Sequence, residues 1–116
     1  MFKNLLILLL SAFLLFSCTK KENIEIKSEP TSESKALSIY AEAVEALNKG
    51  DAFYAGKLFR EVEGLMPQSK WAAKASIMSG YAEYSRNAYT NAVFDLERHI
   101  KNYPADNLVS YAHYLI

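Results

Sequence analysis

Few residues in this 116-residue sequence are of the types that carry out covalent, acid–base or metal chemistry. There is one cysteine, Cys18, so no intramolecular disulfide and no thiolate metal cluster can form. The only histidines are His99 and His113. His99 falls at an inner helix position, where a structural imidazole is expected rather than a ligand. His113 has no acidic or histidine partner at helical spacing, so no metal site is expected. Asp95, Glu97 and Arg98 fall together on one helix and read as a solvated charged face. Ser17, Ser69 and Ser79 lie in no nucleophile-elbow context, and there is no glycine-rich phosphate loop. The expectation is a protein with no catalytic residue and no cofactor, apart from lipid chains on Cys18. Tyrosine is the residue type that stands out, with eight copies. A phenol ring offers a large apolar face with a hydrogen-bonding tip, which suits binding rather than catalysis.

What positions the tyrosines is a pattern written twice. Ala43, Gly50, Ala55, Phe59, Val62 and Pro67 recur 37 positions later as Gly80, Asn87, Ala92, Leu96, His99 and Pro104. Small, turn-forming, small, bulky and proline positions keep their type, and only Val62/His99 breaks the match. A period of this length implies stacked helix–turn–helix units, and the marking is that of the tetratricopeptide repeat. Apolar residues at three- and four-residue steps place helices over 35–49, 51–66, 70–86 and 88–103. Gly50 can take the left-handed conformation that ends a helix, Asp51 can cap the next one, and Pro67 stops it. A fifth helix begins near Asp106-Asn107, and the chain stops inside it on Ile116. The fold expected is therefore all-α, a helical-hairpin solenoid of two repeats and the start of a third over 35–116, with further repeats missing. In such stacks the first helix of each hairpin lines the concave side. That places Leu37, Tyr40, Val44 and Leu47 from the first unit, Lys74, Ile77, Tyr81 and Tyr84 from the second, and Tyr111 and Tyr114 from the third in one groove. A peptide with aromatic side chains, extended or in a hairpin, would fit it. The competing explanation is that some of these rings pack between units, since solenoid interfaces use the same residue types.

The whole chain has 13 basic and 13 acidic residues, so it offers no basic field for nucleic acid. The front of the chain is different. Lys3 precedes an apolar run from Leu5 to Phe16, too short to span a bilayer but suited to an export signal over 1–17. Leu15-Phe16-Ser17-Cys18 follows, and it resembles the lipobox of bacterial lipoproteins, with Phe16 bulkier than the usual occupant. The resemblance implies a diacylglycerol on the Cys18 sulfur and a further acyl chain on its amine. At ~0.8 kcal/mol per buried CH₂, two or three chains would anchor the protein stably. Thr19 after the cysteine, by the same resemblance, implies the outer membrane. Residues 18–34 are rich in Lys, Glu, Ser and Thr and read as a polar tether.

Leader, lipobox, tether and repeats occur in an order that resembles the BamD family of outer-membrane assembly lipoproteins. The similarity rests on Ile39-Tyr40-Ala41-Glu42-Ala43, Gly50-Asp51, Ala55-Gly56-Lys57-Leu58-Phe59 and Tyr81-Ala82-Glu83-Tyr84. Tyr89, Ala92, Asp95, Ile100, Tyr103-Pro104 and Tyr111-Ala112-His113-Tyr114-Leu115 carry it further. It covers nearly all of this chain but only the front of a family member. It implies a non-enzymatic subunit of the β-barrel assembly machinery, lipid-anchored on the periplasmic side of the outer membrane. The implied partners are BamA, the other lipoproteins of that machinery, and unfolded barrel proteins recognised through an aromatic-ended signal. Docking on the POTRA domains of BamA belongs to the family's later repeats, so this stretch would not be expected to dock there by itself. The alternative is another periplasmic tetratricopeptide lipoprotein, associated with peptidoglycan or the Tol system.

Overall fold

The computed structural model describes residues 31–116. The expected export signal, Cys18 and the expected tether up to residue 30 lie outside the described residues. Five helices follow one another: α1 (Ser32–Asn48), α2 (Ala52–Leu65), α3 (Lys70–Ser85), α4 (Tyr89–Asn102) and α5 (Val109–Leu115). Among the described residues there is no strand.

Each helix begins and ends for a local reason. The Thr31 hydroxyl accepts a hydrogen bond from the Ser34 amide, so α1 starts at Ser32, three residues before the sequence-based boundary. Asp51 caps α2 as expected, its carboxylate accepting from the Tyr54 amide at 3.0 Å. Ser69 does the same for α3 through the Ala72 amide at 3.0 Å. Gly50 at φ +88° and Asn87 at φ +62° turn the chain inside the two hairpins. Both are residue types that tolerate the left-handed region, which explains why they align in the repeat. Gln68, also at φ +62°, turns the chain between hairpins.

The repeat shows in the packing. One apolar cluster joins α1, α2 and α3 through Ala36, Ala43, Ala55, Phe59, Val62 and Ala75. A second joins α3, α4 and α5 through Ile77, Leu96 and Ala112. The small positions are small because backbones approach there. A Cβ added to Gly80 would lie 2.6 Å from Leu96 Cδ2 and 2.8 Å from its Cγ. Phe59 and Leu96, large in both copies, are fully buried. Val62 and His99, the one mismatched pair, are both fully buried too, so the position is kept although the chemistry changes.

The charged face expected at Asp95 and Arg98 is not a solvated one. Asp95 is only 3% exposed. Arg60 of α2 donates to Asp95 Oδ2 at 2.7 Å and to Glu83 Oε1 of α3 at 3.1 Å. Arg86 Nε donates to the other Glu83 oxygen at 2.7 Å. Arg98 lies 3.2 Å from Asp95 Oδ1 and 2.9 Å from Glu63 Oε2. The Tyr103 hydroxyl donates to Glu63 Oε1 at 3.2 Å. Three carboxylates are thus taken into the interior and matched by three guanidiniums, from α2, from α4 and from the residue that ends α3. Unpaired, each carboxylate would cost several kcal/mol there. Glu97 remains exposed, as expected.

Candidate functional site

The two hairpins set their first helices, α1 and α3, side by side, and α5 continues the row. The structure sorts the expected groove residues into three groups. Tyr40, Val44 and Leu47 are half-buried and pack on the first apolar cluster. Tyr40 is an inter-unit wedge more than an open groove residue. Its ring meets Phe59 at 5.3 Å and Trp71 at 5.7 Å between centroids, both edge-on. Burial raises the Tyr40 hydroxyl above the ordinary tyrosine value, so it stays a neutral phenol. Leu37 lies farther up α1 and is exposed.

Ile77 lies deeper than the other expected groove residues. It is 2% exposed and belongs to the second apolar cluster, against Leu96 and Ala112. The helical stripe that carries Tyr81 and Tyr84 is covered at Ile77 because α5 packs over it, so Ile77 forms the floor of the site.

The remaining tyrosines come together. Tyr81 is half-buried and lines a cavity on each side of α3. Toward α1, a cavity of about 360 Å³ is bounded by Leu47, Asn48, Ala52, Ser85 and Arg86. Toward α5, a cleft of about 300 Å³ is bounded by Ile77, Met78, Leu108 and Tyr111. Tyr84 and Tyr111 are exposed at 41% and 40%, and Tyr114 at 83%. Tyr111 and Tyr114 lie nearly parallel with centroids 6.4 Å apart. The Tyr111 hydroxyl is raised, first by burial and then by the neighbouring phenols Tyr81, Tyr114 and Tyr84. Four phenols from α3 and α5 therefore share one surface, with an apolar slot between them. Such a surface can hold apolar side chains and offer hydroxyl donors to peptide carbonyls.

Two contributors were not among the expected groove residues. Tyr89, at the start of α4, packs edge-on against Tyr84 at 5.8 Å. Trp71 forms the far wall with Tyr40, and Lys74, an expected groove residue, has its ammonium over both rings at 5.7 and 5.6 Å. Periodicity places Tyr89 and Trp71 on helices but does not show which neighbour they meet.

His99 and His113 hold no site together. His99 is fully buried in α4, its Nε2 3.5 Å from Asp106 Oδ1, and His113 is exposed on α5. Among the described residues no group of three or more His, Cys, Asp or Glu side chains is placed to hold a metal. Among them, too, no helix is long and apolar enough to cross a membrane.

Residues 32–116 match the model of the YfiO family, described as outer membrane lipoprotein. The outer membrane protein assembly factor BamD of Caulobacter vibrioides is 38% identical over 77 residues, which cover 66% of this chain and 25% of that protein. The BamD of Neisseria meningitidis serogroup A is 26% identical over 113 residues, covering 97% of this chain and 42% of the relative. That of Xylella fastidiosa Temecula1 is 25% identical over 112 residues, covering 97% and 37%. The chain spans between a quarter and about two-fifths of the length of these relatives. No solved structure matches. With the two helical hairpins and the start of a third all inside the matched span, the chain belongs to the YfiO family of outer-membrane lipoproteins, to which the BamD-like resemblance of its sequence pointed.

Proposed function

We propose that the protein acts as a non-enzymatic subunit of the β-barrel assembly machinery and binds segments of unfolded outer-membrane barrel proteins along its tyrosine-lined groove. The observation that carries this is the 38% identity to a protein named as an outer membrane protein assembly factor. The meeting of Tyr81, Tyr84, Tyr111 and Tyr114 on one surface supports the binding role. An extended barrel segment alternates apolar and polar side chains. Its apolar set matches the slot between α3 and α5, and its backbone matches the phenol donors. BamA and the other lipoproteins of the machinery are the proposed partners. An anchor on Cys18 would hold the domain at the periplasmic face of the outer membrane. Mass spectrometry of the mature N-terminus tests the anchor, and an unmodified Cys18 would reject it.

Depletion in cells tests the role. Loss of many outer-membrane barrels is the expected result. Intact barrels with a division or shape defect would instead favour a peptidoglycan- or Tol-associated scaffold. The groove is tested with the double variant Tyr81→Ala, Tyr84→Ala. Binding of a barrel C-terminal peptide should weaken about tenfold or more by titration calorimetry, with helicity by circular dichroism kept. Unchanged affinity would remove the groove from the account.

A further inference from the structure

We infer that the side of the stack away from the groove faces a membrane: the outer faces of α2 and α4 rest on phospholipid headgroups, with Phe53 and Phe94 entering the interface. This rests on the Cys18 anchor proposed above and adds an orientation to it. Phe53 is 57% exposed and Phe94 67%. Neither ring lines the cavities described above, and a phenyl ring has no polar tip to offer solvent. Both stand on the same side. Lys57 follows Phe53 by one helical turn, and its ammonium lies 6.0 Å from the Phe53 ring centre. The sequence repeat puts Phe94 at the station of Lys57, and Thr90 at that of Phe53. All four are exposed, whereas Ala55, Phe59, Ala92 and Leu96 on the inner sides of these helices are buried. The Arg86 guanidinium carbon stands 5.2 Å from the Phe53 ring centre, while Arg86 Nε is bound to Glu83. A ring flanked by two cations suits a bilayer surface, with the ring at the acyl boundary and the charges at the phosphates. Farther along the two helices Glu61, Glu97 and Lys101 are exposed as well. Lys57 and Lys101 are thus balanced by Glu61 and Glu97, so the contact rests on the rings and does not require anionic lipid.

The length of chain before α1 says what covers this side. Residues 19–30 link Cys18 to the cap of α1 at Thr31. A polar segment of that length spans about 20 Å. Packed helices stand about 8–10 Å apart, so this reach carries from α1 past the layer of α2 and α4 to the headgroups. A tether of this length presents the surface at an effective concentration of roughly millimolar. A contact too weak to hold the free protein is then populated, and it acts as a second signal beside the acyl chains. A protein partner would need pockets matched to two rings on different helices. A fluid headgroup layer accepts both rings without pockets. In this orientation the groove opens away from the membrane.

The test uses the full chain with its lipid, reconstituted into vesicles of phosphatidylethanolamine and phosphatidylglycerol that contain a phospholipid with a nitroxide on its headgroup. Trp71 is the only tryptophan in the sequence and packs on Tyr40 at the groove side, so the wild type supplies the control. Phe94→Trp adds an emitter on the outer face, and Phe53→Trp does so independently. The added emission should shift to the blue and be quenched by the nitroxide, while the Trp71 emission keeps its intensity. Quenching of Trp71 as strong as that of the added tryptophan, or stronger, would overturn the orientation. No quenching at either position in a chain that floats with the vesicles would also overturn it, leaving the anchor standing and the outer face to a protein partner. A chain that does not float, with Cys18 unmodified, would sink the anchor and the docking together.

Discussion

Val62 and His99 hold the same station in successive hairpins, one apolar and one titratable, and both are shut off from solvent. The His99 ring is enclosed by Asp106, whose Oδ1 stands 3.5 Å from Nε2, and by Glu63, Tyr103 and the Ala73 backbone. Burial lowers the His99 value below its ordinary 6.5, and the charges of Asp106 and Glu63 oppose that only in part. A histidine whose folded value is depressed takes up its proton more readily in the unfolded chain. Stability should therefore decline as pH falls below about 6.5 and level off once the native value is passed. His99→Leu removes the titrating group from an apolar-tolerant site. The thermal midpoint of that variant should lack the decline expected of the wild type as pH falls below about 6.5. Persistence of the same slope would show that another group causes it. Glu83 acts at lower pH. Burial works to raise its carboxyl, but Arg86 and Arg60 outweigh burial and hold it below the usual carboxylate value. Its contribution is present above about 4.5 and fades as pH falls through the lowered native value.

At the scale of helices, small residues decide how closely the hairpins close. Gly80 of α3 faces Leu96 of α4 so tightly that a Cβ would sit inside contact distance of two leucine carbons. Gly64, near the end of α2, has nothing within 4 Å of the same added atom. Ala is favoured over Gly in a helix by about 1 kcal/mol. Overpacking a close-packed core costs about 1–3 kcal/mol. Gly80→Ala should therefore lower stability by about 1 kcal/mol, because the clash outweighs the helix gain. Gly64→Ala should raise it by about 0.5–1 kcal/mol. Chemical denaturation of the two variants reads the comparison, and shifts of the same sign would contradict it. Ala92 of α4 and its aligned partner Ala55 of α2 are both buried, which explains why both copies keep a small residue at that station.

For the molecule as a whole, the ion-pair chain from Arg86 through Glu83, Arg60, Asp95 and Arg98 to Glu63 joins the two repeats across α2, α3 and α4. The hairpins of a solenoid otherwise meet only through neighbouring apolar faces, and their unfolding can separate. Arg60 of the first unit meets Glu83 and Asp95 of the second, and Arg98 of the second meets Glu63 of the first. The Arg60 side chain is 35% exposed, whereas those of Glu83 and Asp95 are 2% and 4% exposed. Arg60→Met keeps the aliphatic stem but strips two buried carboxylates of a partner, which should cost about 2–3 kcal/mol. Fluorescence of Trp71 and far-ultraviolet circular dichroism should then report less coincident unfolding transitions than in the wild type. A midpoint within error of wild type would mean that the network is dispensable.

The sequence by itself determined the repeat, its period, the four hairpin helices to within three residues at each end, and the turn positions Gly50 and Asn87. These are local matters: side chains at helical steps, a residue type that permits positive φ, and capping groups next to the amides they receive. It also placed Tyr81, Tyr84, Tyr111 and Tyr114 on helices that share a side. Only the tertiary structure decided which part of each helical stripe is covered. Ile77 went under α5 and Tyr40 became a wedge against Trp71, because stacking of successive hairpins hides part of a face that periodicity treats as uniform. The same holds for Asp95 and Arg98, whose neighbours along the helix suggested solvent. Arg60 lies 35 positions away in sequence. No pattern within one helix announces such a partner, and only the packing of three helices brings the charges together.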